Sequence, residues 1–279
     1  MRTRLLAVLA LAMLAAAPAA SSDGGPSPGA VTGWNGVLSP TGHVRYAALT
    51  AAGSTIVAAV EVDGGRVLQY RTLRGLYGIP LVANDGTTGG LSADATTLVL
   101  APFGTPLQTG QVSRFAVLTP DRSFKIRRIV TLRGAFSFDA ISPTGRVLYL
   151  IEYRPSGTTI TYRVRAYDVA RGKLVPGSIV DRREPDEQMQ GSPVTRASSR
   201  DGVWAYTLYA RPAGKPFVHA LDTRHARAFC IDLPWRADQQ ALQNVKMTAA
   251  GRALVIHDGA GRLAAVNTKS WKVKSYRRP

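Results

Sequence analysis

With 279 residues, 45% of them hydrophobic and 19% charged, the chain is long and apolar enough to bury a sizeable core, and its composition excludes a disordered protein. A single cysteine, Cys230, excludes an internal disulfide, so stability must come from packing. Lys and Arg number 35 against 18 Asp and Glu, a net charge of +17 that points to anionic partners.

Taken from the N-terminus, Arg2 and Arg4 form a basic region, Leu5 to Ala17 an apolar stretch, and Ala17-Pro18-Ala19 a small-residue cleavage site. This is the pattern of a signal peptide over residues 1–19. A membrane anchor would need about 20 apolar residues, and Pro18 followed by Ser21-Ser22-Asp23-Gly24-Gly25-Pro26 ends the run before that. No Cys follows for lipid attachment, and Arg-Thr-Arg is not a twin-arginine signal. Loss of Arg2 and Arg4 with the signal leaves +15 on the mature chain. On an exported protein that charge suits anionic cell-envelope polymers or a protein partner, and nucleic acid is not expected. Residues 20–30, rich in Ser, Gly and Pro, read as a disordered linker, and 31–279 as one folded domain.

From Val31 onward, turn tetrapeptides recur after apolar or β-prone stretches: Ser39-Pro40-Thr41-Gly42, Ser92-Ala93-Asp94-Ala95, Ser142-Pro143-Thr144-Gly145, Ser199-Arg200-Asp201-Gly202 and Thr248-Ala249-Ala250-Gly251. Their last residues lie 53, 50, 57 and 49 positions apart, and nine positions after each comes a second turn region, at Ala51, Gly104, Arg154, Arg211 and Ala260. Third turns follow at Asp63-Gly64-Gly65, Thr119-Pro120-Asp121, Ala170-Arg171-Gly172, Thr223-Arg224-His225 and Thr268-Lys269-Ser270. Each unit thus predicts strands A and B around its anchor, then C and D. The clearest unit runs from Phe136 to Ile179, with strands ending at Ile141, over Val147 to Tyr153, Ile160 to Val169 and Leu174 to Ile179. An alternative phasing would start the repeat at Thr50-Ala51-Ala52-Gly53, identical to Thr248 to Gly251. No long amphipathic helix is predicted anywhere.

Four-stranded antiparallel units of this period predict an all-β fold, a β-propeller of about five blades, or six if one repeat is hidden, with Gly75 to Gly89 the place to hide it. A two-sheet sandwich is the alternative. The Ser142-Pro143-Thr144-Gly145 turn followed by Arg146-Val147-Leu148-Tyr149-Leu150 resembles the exported bacterial WD-repeat-like and TolB-like propellers, whose blades carry Ser-Pro-Asp-Gly before an aliphatic strand. The resemblance covers roughly Trp34 to Arg278. Thr144 stands where those blades have Asp, only Ser199 to Gly202 keeps Asp-Gly, and no Trp-Asp ends strand C, where Tyr167-Asp168 and Leu221-Asp222 stand instead. The resemblance implies a fold and not a ligand.

Catalytic and cofactor motifs are absent: there is no H-E-x-x-H, no G-x-S-x-G and no phosphate-binding Gly-Lys loop. His43, His219, His225 and His257 lack ligand spacing, so no metal and no cofactor is expected. The densest acidic group, Asp181 to Glu187, is interleaved with Arg182 and Arg183 and reads as a solvated loop. With strand A innermost, the B–C turns and D–A connections emerge on one face and the anchors on the other. Arg74, Arg133, Arg154 and Arg211 then share the long-loop face and are candidates for a basic rim that binds an anionic ligand. The sequence therefore predicts a monomeric, secreted or envelope-located, non-catalytic binding or scaffold module; a lactonase-like or lyase-like enzyme with residues converging at the channel mouth is the competing reading.

Overall fold

The computed structural model describes residues 29–103, 112–156, 159–185, 189–212 and 214–279. The signal peptide expected over 1–19 and linker residues 20–28 lie outside them. Strand β1 (Ala30–Val31) precedes blade 1, which holds β2 (Gly33–Leu38), β3 (Val44–Ala51), β4 (Ser54–Glu61) and β5 (Val67–Arg74). Blade 2 holds β6 (Tyr77–Pro80), β7 (Leu98–Pro102), β8 (Val112–Thr119) and β9 (Lys125–Arg133); blade 3 holds β10 (Ala135–Ile141), β11 (Val147–Ser156), β12 (Thr159–Asp168) and β13 (Lys173–Leu174). Blade 4 holds β14 (Ser192–Ser198), β15 (Trp204–Ala210), β16 (Phe217–Asp222) and β17 (Arg227–Asp232), and blade 5 holds β18 (Lys246–Ala250), β19 (Ala253–Asp258), β20 (Gly261–Asn267) and β21 (Val273–Ser275). Each blade pairs its strands in sequence order, antiparallel, and β1 adds a fifth strand to blade 2 beside β6. One 3-10 turn, Pro120–Arg122, is the sole helical element among the described residues.

The anchors fall between strands A and B, which selects the phasing that begins at Gly42 and places Gly53 in the next turn. Turn chemistry explains the repeat. In the first four anchors the Ser carbonyl accepts the N–H of the fourth residue at 2.9 Å, and the Ser hydroxyl accepts a backbone N–H five residues on, from Val44, Thr97, Val147 and Trp204. Closing that turn needs a left-handed residue: φ is +76° at Gly42, +57° at Ala95, +66° at Gly145 and +68° at Gly202. The fifth anchor departs from this. Thr248 to Ala250 belong to β18, which turns directly at Gly251-Arg252 to pair Ala250 with Ala253. All five C–D turns lie where the sequence puts them.

Two local expectations are corrected. Strand D of blade 3 does not run unbroken from Leu174 to Ile179: Val175 donates to the Ala166 carbonyl at 2.8 Å, Pro176 has no N–H to continue, and the chain rejoins the sheet only where Ile179 donates to Val164 at 2.9 Å. The stretch from Gly75 to Gly89 hides no extra blade. It contributes β6 and then a tight loop, residues 81–91, that crosses the middle of the molecule.

Packing is between faces. One buried cluster joins blades 1 and 2 around Ile79, Leu98 and Phe124; another joins blades 2 and 3 around Phe115, Phe136 and Leu148. Blades 3 and 4 share two clusters, around Tyr149 and Leu221 and around Tyr162, Tyr209 and Phe217, and blades 4 and 5 share one around Leu208, Leu254 and Trp235. Each fully buried Leu or Phe contributes roughly 1.5–3 kcal/mol over its exposed state. Successive sheets packed face to face in this way are the architecture of propeller blades, and a two-sheet sandwich is excluded. No buried cluster among the described residues joins blade 5 to blade 1, and β1 pairs with blade 2 rather than with blade 5. Among the described residues the ring is open at that seam.

The loop over 81–91 acts as an axial plug. Its Asn84 and Asp85 N–H groups donate to Pro193 and Val194 of blade 4 at 2.9 and 3.2 Å, Thr88 donates to the Gly36 carbonyl of blade 1 at 3.2 Å, and Lys246 of blade 5 reaches Asp85 at 2.8 Å. Asp85 also accepts from the Thr87 N–H and hydroxyl, which fixes the turn. One loop of blade 2 thus touches the inner strands of blades 1, 4 and 5.

Candidate functional site

Beside the plug, on the anchor face, lies an axial pocket of about 300 Å³. Val37, Leu38 and Pro40 of blade 1, Val82 and the 87–93 stretch of blade 2, Phe138 to Ile141 of blade 3 and Arg196 to Arg200 of blade 4 line it. Its chemistry comes from two β-bulges. The register of β10 slips between Phe138 and Ala140, which leaves Asp139 unpaired in the ladder, and β14 slips between Pro193 and Thr195. Bulges re-aim side chains. Here they bring Asp139 of blade 3 against Arg196 of blade 4, and the guanidinium donates to both the carboxylate and the carbonyl of Asp139 and, at 3.0 Å, to the Thr207 hydroxyl. The Asp139 and Arg196 side chains are 2% and 7% exposed. Asp139 Oδ2 is buried with no partner among the described residues, so it retains an acceptor for a water or a ligand donor.

The anchor serines of the wall serve structure. Ser92 donates to Asp94 at 2.6 Å and Ser199 to Asp201 at 2.6 Å, both within anchors. No hydroxyl there is paired with a histidine. No group of three or more His, Cys, Asp or Glu among the described residues is placed to hold a metal ion.

His219 lies behind this wall, in register between Thr207 and Cys230 and edge-on to Tyr209. Burial pushes its pKa down, Arg196 adds to that, and Asp139 and Asp181 pull the other way. The folded ring therefore stays neutral where the unfolded chain takes up a proton, near pH 6.5. The unfolded state then binds more protons, so stability falls as pH drops below about 6.5. A second, steeper fall is expected below about pH 4. Burial alone would raise Glu152, Asp181 and Asp222, but the arginines hydrogen-bonded to them, with His225 at Asp222, hold all three below the ordinary carboxylate range. Melting temperature measured from pH 8 to 3 should show both limbs, and His219→Gln should remove the first. An unchanged slope between pH 6.5 and 5 in that variant would assign the limb to another group.

The four arginines expected at the rim occupy different surroundings. Arg74 and Arg133 end β5 and β9 and are exposed, and neither forms an ion pair among the described residues. Arg154 is not in a turn but within β11, and pairs with Glu152 at 3.1 Å; the same Glu152 holds Arg163 at 2.8 Å and Arg165 at 2.7 Å. Arg211 pairs with Asp232 at 2.7 Å, donates to the Lys215 carbonyl and stacks 4.2 Å over Phe217. Asp181, expected in a solvated loop, is buried: it takes Arg183 at 2.6 Å and the Cys230 N–H at 2.8 Å, stitching the 175–191 connection to β17. Asp186 lies outside the described residues.

Sequence reasoning missed Asp139 and Arg196. The signal was there: Asp139 is the only charge in the run Ala135 to Ile141, where a buried inner strand has no use for an unpaired carboxylate.

No protein-family model matches the sequence, and no curated protein matches it. Among solved structures, a protein of unknown function from Desulfotomaculum acetoxidans is similar with a TM-score of 0.50 at 10% identity, over 86% of this chain and 68% of that one. A β-propeller domain from Myceliophteria thermophila matches with a TM-score of 0.49 at 11% identity, over 92% and 74% of the two chains. TolB from Acinetobacter baumannii matches with 0.39 at 10% identity, and this chain spans about half of it, 52%. At these identities the likeness concerns the arrangement of sheets, and the site must be argued from its own residues.

Proposed function

We propose that this chain is an exported, non-catalytic binding module of the cell envelope whose ligand seat is the axial pocket on the anchor face. The observation that carries the reading is the buried Asp139–Arg196 pair in the wall of a pocket that mixes apolar side chains such as Val37, Leu38 and Phe138 with polar ones. Pockets of this kind, apolar with a few fixed polar groups, bind small molecules. The pair is nearly neutral as a unit and Asp139 Oδ2 keeps one acceptor, which suits a neutral ligand bearing a hydroxyl or amide donor. The anchor serines of the wall, Ser92 and Ser199, are engaged within their own turns, which supports binding over catalysis. Export rests on the residue pattern of 1–19. The basic rim of Arg74, Arg133, Arg154 and Arg211 is a weaker seat for an anionic polymer, because Asp232 already neutralises Arg211 and Arg154 is tied down on the Glu152 that it shares with Arg163 and Arg165.

Thermal shift against monosaccharides, amino-acid amides and short uronic-acid oligomers tests this, with Ser198→Trp, an exposed position at the pocket edge, as the blocked form. A ligand at 100 times its Kd stabilises by about 2.7 kcal/mol, which is about 5–11 °C for a domain of this size. That shift is expected from a hydroxyl- or amide-bearing neutral compound in the parent and not in Ser198→Trp. Equal shifts in both proteins, or turnover of any of these compounds, would overturn the reading.

A further inference from the structure

The open seam leaves two sheet faces without a covering blade. On blade 1, Ala48, Val57 and Ala59 pack toward blade 2, so alternation turns their neighbours the other way. The ladder register aligns these as rows across β3, β4 and β5: Ala47, Ala58 and Tyr70; Leu49, Ile56 and Thr72; Ala51, Ser54 and Arg74. Arg45, Val60 and Val67 make a further row. Tyr70 is 67% exposed and Val67 47%, on the outer strand β5, whereas Ala47, Ala58 and Val60 of the inner strands are buried. On blade 5, Leu254, Ile256, Ala264 and Val266 pack toward blade 4, which leaves the row Thr248, Val255, Ala265 and Lys274, with Lys246, His257 and Arg262 beside it. A groove of about 720 Å³ runs along blade 1 between Leu38, Arg45 and the plug at Gly86 to Thr88.

Both walls have the same sign. Arg45 and Arg74 on one side, Arg262 and Lys274 on the other, form no ion pair among the described residues, while Lys246 is held by Asp85. No Asp or Glu occupies any of these rows. A second copy of this chain would set basic wall against basic wall, which like-charge contact disfavours. An anionic polysaccharide would match the charge and leave the exposed Val67 and Tyr70 uncovered. We propose that the seam between blades 1 and 5 receives an acidic, strand-forming segment of a partner protein, which inserts as a further blade, covers the apolar rows and neutralises both walls.

The test uses the full mature chain and a labelled peptide of alternating Glu and Val, with an alternating Lys and Val peptide and polyglucuronate as comparison probes. The Glu/Val peptide should bind, more weakly as salt rises, and the Lys/Val peptide should not. Reversing one exposed charge on each wall, Arg74→Glu with Lys274→Glu, should weaken binding roughly tenfold or more. The matched reversal Arg122→Glu with Arg171→Glu, on C–D turns of blades 2 and 3, should change it by less than about twofold, since surface changes elsewhere stay within about 0.5 kcal/mol. A photo-crosslinker at position 70 should label the peptide. Equal weakening by the two reversals would mean bulk charge alone. Preferential binding of polyglucuronate, no peptide binding, or a concentration-dependent dimer that buries position 70 would each overturn the proposal.

Discussion

Replacing Arg196 by Met is expected to destabilise the protein by about 3–5 kcal/mol, because it strands the Asp139 carboxylate, 2% exposed, without its counter-ion. For a domain of this size that is a fall of about 6–20 °C in melting temperature. Removing both charges together, Asp139→Leu with Arg196→Met, should cost far less, since a buried ion pair replaced by apolar groups of similar volume is often close to neutral. Thermal unfolding of the single and double variants separates the two cases. A single variant within about 1 kcal/mol of the parent would mean that water already solvates Asp139 through the axial pocket, and the pocket would then be wetter and less selective than its apolar walls imply.

Gly145→Ala is the second large effect. Gly145 holds φ at +66°, and a Cβ built there collides with the Thr97 side chain of the neighbouring blade. A left-handed non-glycine residue costs about 1–2 kcal/mol by itself, and the collision must be relieved by shifting either Thr97, which is fully buried, or the anchor of blade 3. A loss of about 2–4 kcal/mol is expected. Gly42→Ala is the control: its φ is +76°, but nothing lies within 4 Å of the added carbon, so only the conformational cost of about 1–2 kcal/mol applies. Denaturant unfolding of the two variants measures the difference. Equal losses would show that the anchors act only as turns and carry no packing between blades.

Turns were the legible part of this fold, because they are local. The Ser hydroxyl at position 1 of an anchor and the left-handed residue at position 4 act within six residues, so Ser39, Ser142 and Ser199 mark strand ends without help from the rest of the chain. Proline misled at two places. Pro155 suggested a turn at Arg154, whereas β11 runs on to Ser156, and Pro176 cut a strand that the aliphatic pattern carried through to Ile179. The site was not legible for a different reason. Asp139 and Arg196 are 57 residues apart and meet only because two bulges in separate blades turn them to one seam. The rim arginines show the converse: topology fixes the side of the molecule on which a turn emerges, but a neighbour such as Glu152 or Asp232 decides how much charge remains there.

The axial plug also bears on the order in which the molecule can be completed. Asp85 waits for Lys246, 161 residues later, and for the backbone of Pro193 and Val194. Contacts of such sequence separation carry a large loop-closure cost and form late. A nascent chain can pair the strands of blades 1 and 2 as soon as they emerge, yet the loop between β6 and β7 has nothing to hold until blades 4 and 5 exist. Its hydrogen bonds then bridge blades that do not otherwise meet, across an arc that no closing strand completes. The plug is in that sense a clasp, fastened only once blades 4 and 5 are in place.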